Sequence, residues 1–144
     1  MSKYVKVAAR YAKMQDSGKV ALTTEHFLVD AMTLTEAETK VTEFLTPYIV
    51  EESENSLATS AQFSPIAEIV NLGVDEKWYL AKVGIITIDE KTAKEKRTIT
   101  QWLVGGTDFN DAYEHVLREF NTMTISDPEL IGLAESNIIE VINN

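Results

Sequence analysis

The chain has 144 residues, 44% of them hydrophobic, a formal net charge of −10 and no cysteine. That length and apolar content support one globular domain with a core, not two of independent size. The lack of cysteine excludes a disulfide framework, a thiolate nucleophile and Cys-ligated zinc, while the acidic excess repels phosphate backbones and so disfavours duplex nucleic acid as a partner.

The opening residues, Met1-Ser2-Lys3-Tyr4-Val5-Lys6-Val7, enter an alternating stretch at once, and no window approaches the roughly 20 apolar residues of a membrane span. The expectation is a cytoplasmic protein with no membrane partner. Tyr4 to Ala12 alternates with the period of a half-buried strand, Asp16-Ser17-Gly18 supplies turn chemistry, and Val20 to Val29 reads as the partner strand of a hairpin. Thr33 and Glu36 have capping-box spacing, after which Leu34, Ala37, Val41, Phe44 and Leu45 recur at helical period until Pro47. Leu57–Phe63 and Ile66–Val70 read as a second, weaker strand pair turning at Ser64-Pro65. Gly73, between Asn71 and Glu76, marks the junction of two halves.

The second half repeats the plan. Trp78 to Ile88 alternates, Asp89 to Lys96 forms a charged hairpin loop, and Arg97 to Val104 returns. Gly105-Gly106 then breaks the strand, and Asp108 caps a helix whose stripe is Phe109, Ala112, Tyr113, Val116, Leu117 and Phe120. Pro128 to Ala134 and Asn137 to Ile142 close the chain as strands.

The halves also match in letters. Phe27-Leu28-Val29 and Leu34-Thr35-Glu36-Ala37 return 75 residues later as Trp102-Leu103-Val104 and Phe109-Asn110-Asp111-Ala112. Ile66-Ala67-Glu68-Ile69-Val70 returns 72 residues later as Ile138-Ile139-Glu140-Val141-Ile142. The fold expected is therefore α+β: a tandem duplication of a β-β-α-β-β unit, residues 1–72 and 73–144 of a single domain. Two amphipathic helices should pack on mainly antiparallel sheet about an approximate two-fold axis, because hairpin-length connections join antiparallel neighbours.

The segments Tyr4…Tyr11, Val29-Asp30-Ala31, Leu34-Thr35-Glu36-Ala37-Glu38, Thr46-Pro47-Tyr48-Ile49, Lys77-Trp78-Tyr79…Lys82-Val83 and Ile88-Asp89-Glu90-Lys91…Glu95-Lys96-Arg97-Thr98 together resemble the DUF4494 family, small proteins of Bacteroidetes and their phages. The resemblance covers nearly the whole chain and departs at Glu51 to Ala61 and at Thr39-Lys40. It implies a fold and a phage or Bacteroidetes setting, with the host cell cytoplasm as location if phage-encoded. It implies no activity and no catalytic residues.

Little in the chain points to chemistry on a substrate. His26 and His115 are the only histidines and have no metal-binding spacing; a surface or hydrogen-bonded structural role is the simpler account of each. Among 23 acids no carboxylate pair stands out. There is no nucleophile elbow, phosphate-binding loop or dinucleotide fingerprint, and Gly105-Gly106 reads as a strand-to-helix turn. The expectation is no enzyme, no catalytic residues, no metal and no cofactor.

The constellation that remains is aromatic and basic. Trp78, Tyr79, Lys82, Arg97 and Trp102 lie on two strands that should pair, with Arg10 as a further cation, and stacking plus phosphate neutralisation holds nucleotides without reading sequence. Trp102, like its counterpart Phe27, is more simply a core residue. These residues lead to a non-catalytic, homo-oligomeric protein that binds a small anionic or nucleotide-like ligand. By analogy with the phage setting, it would be a sponge sequestering a nucleotide-derived immune signal. The alternative is a protein–protein interaction module, or an inhibitor of a host protein, using an acidic surface.

Overall fold

The computed structural model describes residues 4–49, 57–70, 77–123 and 128–143. Its elements in chain order are β1 (Tyr4–Met14), β2 (Val20–Asp30), α1 (Leu34–Leu45), a 3-10 turn (Thr46–Tyr48), β3 (Leu57–Phe63), β4 (Ile66–Val70), β5 (Lys77–Ile88), β6 (Glu95–Gly106), α2 (Phe109–Phe120), β7 (Glu129–Glu135) and β8 (Ile138–Ile142). The class is α+β, with two helices on two mainly antiparallel four-stranded sheets. The junction expected at Asn71–Glu76 and the acidic run Glu51-Glu52-Ser53-Glu54 lie outside the described residues. Among the described residues no helix is long and apolar enough to cross a membrane.

The chain divides into two compact units, one made of Met1–Ser64 with Asn137–Asn144 and the other of Pro65–Ser136. The first holds the sheet β3-β1-β2-β8 and α1; the second holds β4-β6-β5-β7 and α2. Followed from the other edge, the second sheet runs β7-β5-β6-β4, the same plan as the first. The first unit takes its edge strand β8 from the far end of the sequence, the second opens with β4, and each of these strands lies parallel to its neighbour: β8 beside β2, β4 beside β6.

One expectation about strand pairing is corrected here. β3 and β4 do not pair with each other, since β3 joins β1 and β4 joins β6. Pro65 has no N–H to close a tight turn and keeps Ser64 extended, and the Ser64 N–H is already engaged by the Tyr4 carbonyl at 2.9 Å, so the chain runs on instead of folding back. The sheets are mainly antiparallel, as expected, with β2/β8 and β4/β6 as parallel neighbours. The hairpin argument holds only for partners adjacent in sequence, and β2/β8 and β4/β6 are not.

In the first unit α1 covers one sheet face, burying Ala37, Val41 and Leu45 on Val5, Val7, Ala9, Tyr11, Phe27 and Val29. In the second, Ala112 and Val116 of α2 pack on Tyr79, Ala81, Val83, Trp102 and Val104. The stripe expected for α2 is rotated: Phe109, Tyr113 and Leu117 are exposed and His115 is buried. At the strand end beneath α2, Gly106 belongs to β6. The expected strand break at Gly105-Gly106 is absent. A Cβ on Gly106 would stand 2.6 Å from the Ala112 nitrogen, so glycine lets the first turn of α2 touch the strand, and the helix seats on its small residues.

Both helices start as capping boxes. The Thr33 and Asp108 side chains accept from the N–H groups of Glu36 and Asp111 at 3.0 and 2.8 Å, and Glu36 and Asp111 accept in return from the N–H groups of Met32 and Thr107. Those returning N–H bonds are the leading reason both carboxyls sit below the usual carboxylate range. The anion-receptive ends of both helices are therefore already engaged by their own side chains.

Candidate ligand-binding site

Strand alternation assigns each residue of the aromatic and basic set to a face. Tyr79 and Trp102 point under α2 and belong to the core; Tyr79 meets Phe109 edge-on at 6.4 Å, and Trp102 meets Phe120 edge-on at 5.6 Å. Trp78 and Lys82 lie on the helix-free face of β5, Trp78 buried and Lys82 exposed. Arg97 shares that face. Its guanidinium lies over Gly84, where a Cβ would meet Nε at 2.9 Å, and donates to Glu129 at 2.8 Å. Lys82 stands four residues from both Trp78 and Ile86, and Ile86 is the register partner of Arg97, which spreads these residues over about 13 Å per interval along β5. Arg10 belongs to the first unit, exposed on the helix-free face of β1. The second unit thus brings Trp78, Lys82 and Arg97 onto one face, with Tyr79 and Trp102 beneath the other.

On the helix-free face of the first unit the register builds a tighter arrangement. Ala8 of β1 is flanked by His26 on β2 and Ser60 on β3, and Lys6, two residues along, is flanked by Leu28 and Gln62. Because alanine is the shortest side chain in that grid, it forms the floor of a depression. Lys6, Ala8, His26, Ser60 and Gln62 line about 170 Å³. Arg10 follows Ala8 on the same face, about 7 Å along the strand.

Every polar side chain around this floor can donate a hydrogen bond, and Lys6 carries charge. Nδ1 of His26 is buried without a hydrogen-bond partner among the described residues, an arrangement that costs stability unless something completes it. Burial, and after it the neighbouring Lys6 ammonium, hold the His26 imidazole below its usual pKa. The depression therefore presents a cation and a neutral imidazole to whatever enters.

A second depression of about 220 Å³, in the second unit, is lined by Val70, His115, Arg118, Glu119 and Thr122. Its histidine is structural, since Nδ1 donates to the Gly105 carbonyl at 2.6 Å and Nε2 lies 3.4 Å from Asp111. Beside it, burial, and after it the hydrogen bond that the protonated Glu68 carboxyl donates to the Glu119 carboxylate, push the Glu68 carboxyl up. Among the described residues no three metal-ligating side chains converge.

Reading along the chain singled out neither Glu68 with Glu119 nor His26 with Lys6, Ser60 and Gln62. Each group joins strands or a helix far apart in sequence; for His26 the one local signal was its alternation onto the face of Leu22, Thr24 and Leu28.

No curated protein and no solved structure matches the chain. The family model DUF4494, a domain of unknown function, matches residues 3–144. Across the capped helices, the hairpins and both four-stranded sheets, this chain belongs to the DUF4494 family.

Proposed function

We propose that the protein binds a small anionic, nucleotide-like ligand without chemically changing it. The observation that carries this reading is the donor-lined depression around Ala8, where Lys6, His26, Ser60 and Gln62 converge and a buried imidazole nitrogen lacks a partner among the described residues. At about 170 Å³ it is smaller than the roughly 300 Å³ at which drug-sized pockets begin. It suits a phosphoryl or carboxylate head group, with the rest of the ligand on the open sheet face near Arg10. The shared β-β-α-β-β plan and the matching caps support descent of the two units from a copied segment. In a phage or Bacteroidetes setting the role would be a homo-oligomeric sponge for a nucleotide-derived immune signal.

The test is to incubate the purified protein with a bacterial metabolite extract, wash, and release bound compounds by heat. An intact anionic compound, lost in a Lys6→Met variant that still folds, is the expected result. A chemically altered compound would make the protein an enzyme. Release of nothing sinks the reading in favour of a protein-directed role. Arg97→Ala belongs in the same experiment: loss of binding there moves the site to the Trp78, Lys82 and Arg97 face. Its ion pair with Glu129 is solvent-exposed and contributes at most about 1 kcal/mol to stability, so that variant reports on binding and not on folding.

A further inference from the structure

The depression around Ala8 pairs a permanent cation with an imidazole whose hydrogen bonding is incomplete, and both sit on one strand grid. Lys6 and His26 are diagonal neighbours across β1 and β2, with Ala8 opposite His26 in register. The charged groups on the elements packed around the imidazole are few. On this face of β1 they are Lys6 and Arg10, Lys13 lying on the other face with Glu25. On the facing stretch of β3 stand Ala58, Ser60 and Gln62, none of which titrates near neutrality. On β8 the register partner of His26 is Ile138, and the nearest carboxylate along that strand is Glu140, opposite Phe27. On β2 itself Glu25 faces the other way, where it accepts from Tyr11 and Lys13. On the depression's own face of β2 the nearest carboxylate among the described residues is Asp30, opposite Tyr4 and diagonal to Lys6, four residues or about 13 Å along the strand from His26.

From this geometry we infer that the depression is a dianion site that loads together with a proton: a tetrahedral oxyanion such as a phosphate monoester enters between Lys6 and His26, and His26 becomes imidazolium in the complex. The inference rests on the reading of this depression as the ligand site. Empty, the site keeps its imidazole neutral, because a second positive charge beside Lys6 in a partly buried position is unfavourable. A dianion reverses that balance. It offsets the ammonium charge and gives the imidazolium a charge-assisted acceptor. The neutral donors Ser60 and Gln62 fix the remaining oxygens without adding charge. A monoanionic carboxylate gains less, since Lys6 alone neutralises it, so a doubly charged oxyanion is the class favoured.

Proton uptake makes affinity depend on pH by linkage: between the free and bound imidazole pKa values, one proton taken up changes affinity about tenfold per pH unit. Sulfate is the cleanest probe, because it stays a dianion throughout that range while phosphate titrates within it. Titration calorimetry of the full chain with sulfate from pH 6 to 8.5 should show affinity falling by about tenfold per unit as pH rises above the free imidazole value and levelling off once the bound value is passed. In His26→Asn, which keeps a donor but cannot titrate, the dependence should be flat, and Lys6→Met should weaken binding at every pH. Should either variant fail to fold, the imidazole resonances of the native chain serve instead: saturating sulfate must move the His26 titration to higher pH.

Sulfate binding that ignores pH overturns the proton coupling and leaves the anion site standing. A slope that persists in His26→Asn also overturns it. Binding of neither sulfate nor inorganic phosphate at millimolar concentration removes the dianion site, and the extract experiment then reports separately on whether the chain holds a ligand at all.

Discussion

At the end of β2 the Lys40 ammonium donates to the Asp30 carbonyl at 2.8 Å and lies 3.5 Å from Glu36, one helical turn earlier. At the end of β6 the His115 imidazole donates to the Gly105 carbonyl at 2.6 Å and lies 3.4 Å from Asp111, again one turn earlier. Lysine and histidine, at the same place in the two units, tie the helix to the same strand-end carbonyl. The side chain differs and the bond is kept, because a strand carbonyl left under a helix without a donor is expensive. The helix-free faces differ instead. Where the first unit has Ala8 between His26 and Ser60, the second has Lys82 between Gln101 and Gly132, so a long exposed side chain stands where the first unit has its floor. Bonds that hold a helix on a sheet are shared, and the groups that could meet a ligand are not.

The sharpest way to break this correspondence is at Gly106, where the first unit has Ala31, itself buried. Gly106→Ala forces a Cβ against the Ala112 nitrogen at 2.6 Å and should cost about 1–3 kcal/mol as α2 is pushed off the sheet. Ala31→Gly should cost no more than about 1 kcal/mol. Urea unfolding measures both, and equal costs would mean that the close approach is not what seats α2.

Next in size is the shared tie. His115→Ala leaves the Gly105 carbonyl without its donor and should lose about 1–3 kcal/mol. His115→Lys, importing the first unit's solution, should recover most of that loss. If lysine restores nothing in the same unfolding measurement, the two helices are not held alike.

The smallest effect concerns Glu68 and Glu119, where the first unit has Phe44 in the place of Glu119. Because the Glu68 carboxyl is raised in the folded chain, its stabilising contribution is complete below the unfolded carboxyl value, about 4.3, and is lost as pH rises through the folded value. Glu68→Gln should therefore be more stable than the native chain at pH 7 to 8, by up to about 1 kcal/mol given its partial exposure, with the gap closing by pH 4. A gap independent of pH, measured by thermal melts across that range, would rule out a shared proton.

Local signals in the chain were strong wherever a single element decides the outcome. Thr33 with Glu36 and Asp108 with Asp111 each close within one helical turn, so both caps could be read from spacing, as could both long hairpins from alternation around Asp16-Ser17-Gly18 and Asp89 to Lys96. The α2 stripe misled because Tyr113 and Leu117 are apolar letters on the flank of the helix, and which flank meets the sheet is decided by the packing of Ala112 and Val116 on β5 and β6. Trp102 illustrates the same limit: its letters fit both a stacking platform and a core residue, and only the helix lying over it resolves the choice.

By itself the sequence determined the class, the order of hairpin then helix in each half, and the capped starts of both helices, because those follow from patterns within single elements and the turns that join neighbouring ones. Tertiary structure alone decided that β4 and β8 lie beside β6 and β2, and that Lys6, His26, Ser60 and Gln62 surround Ala8. Register between strands far apart in the chain is set by the simultaneous burial of whole faces, and no short stretch of residues carries that information.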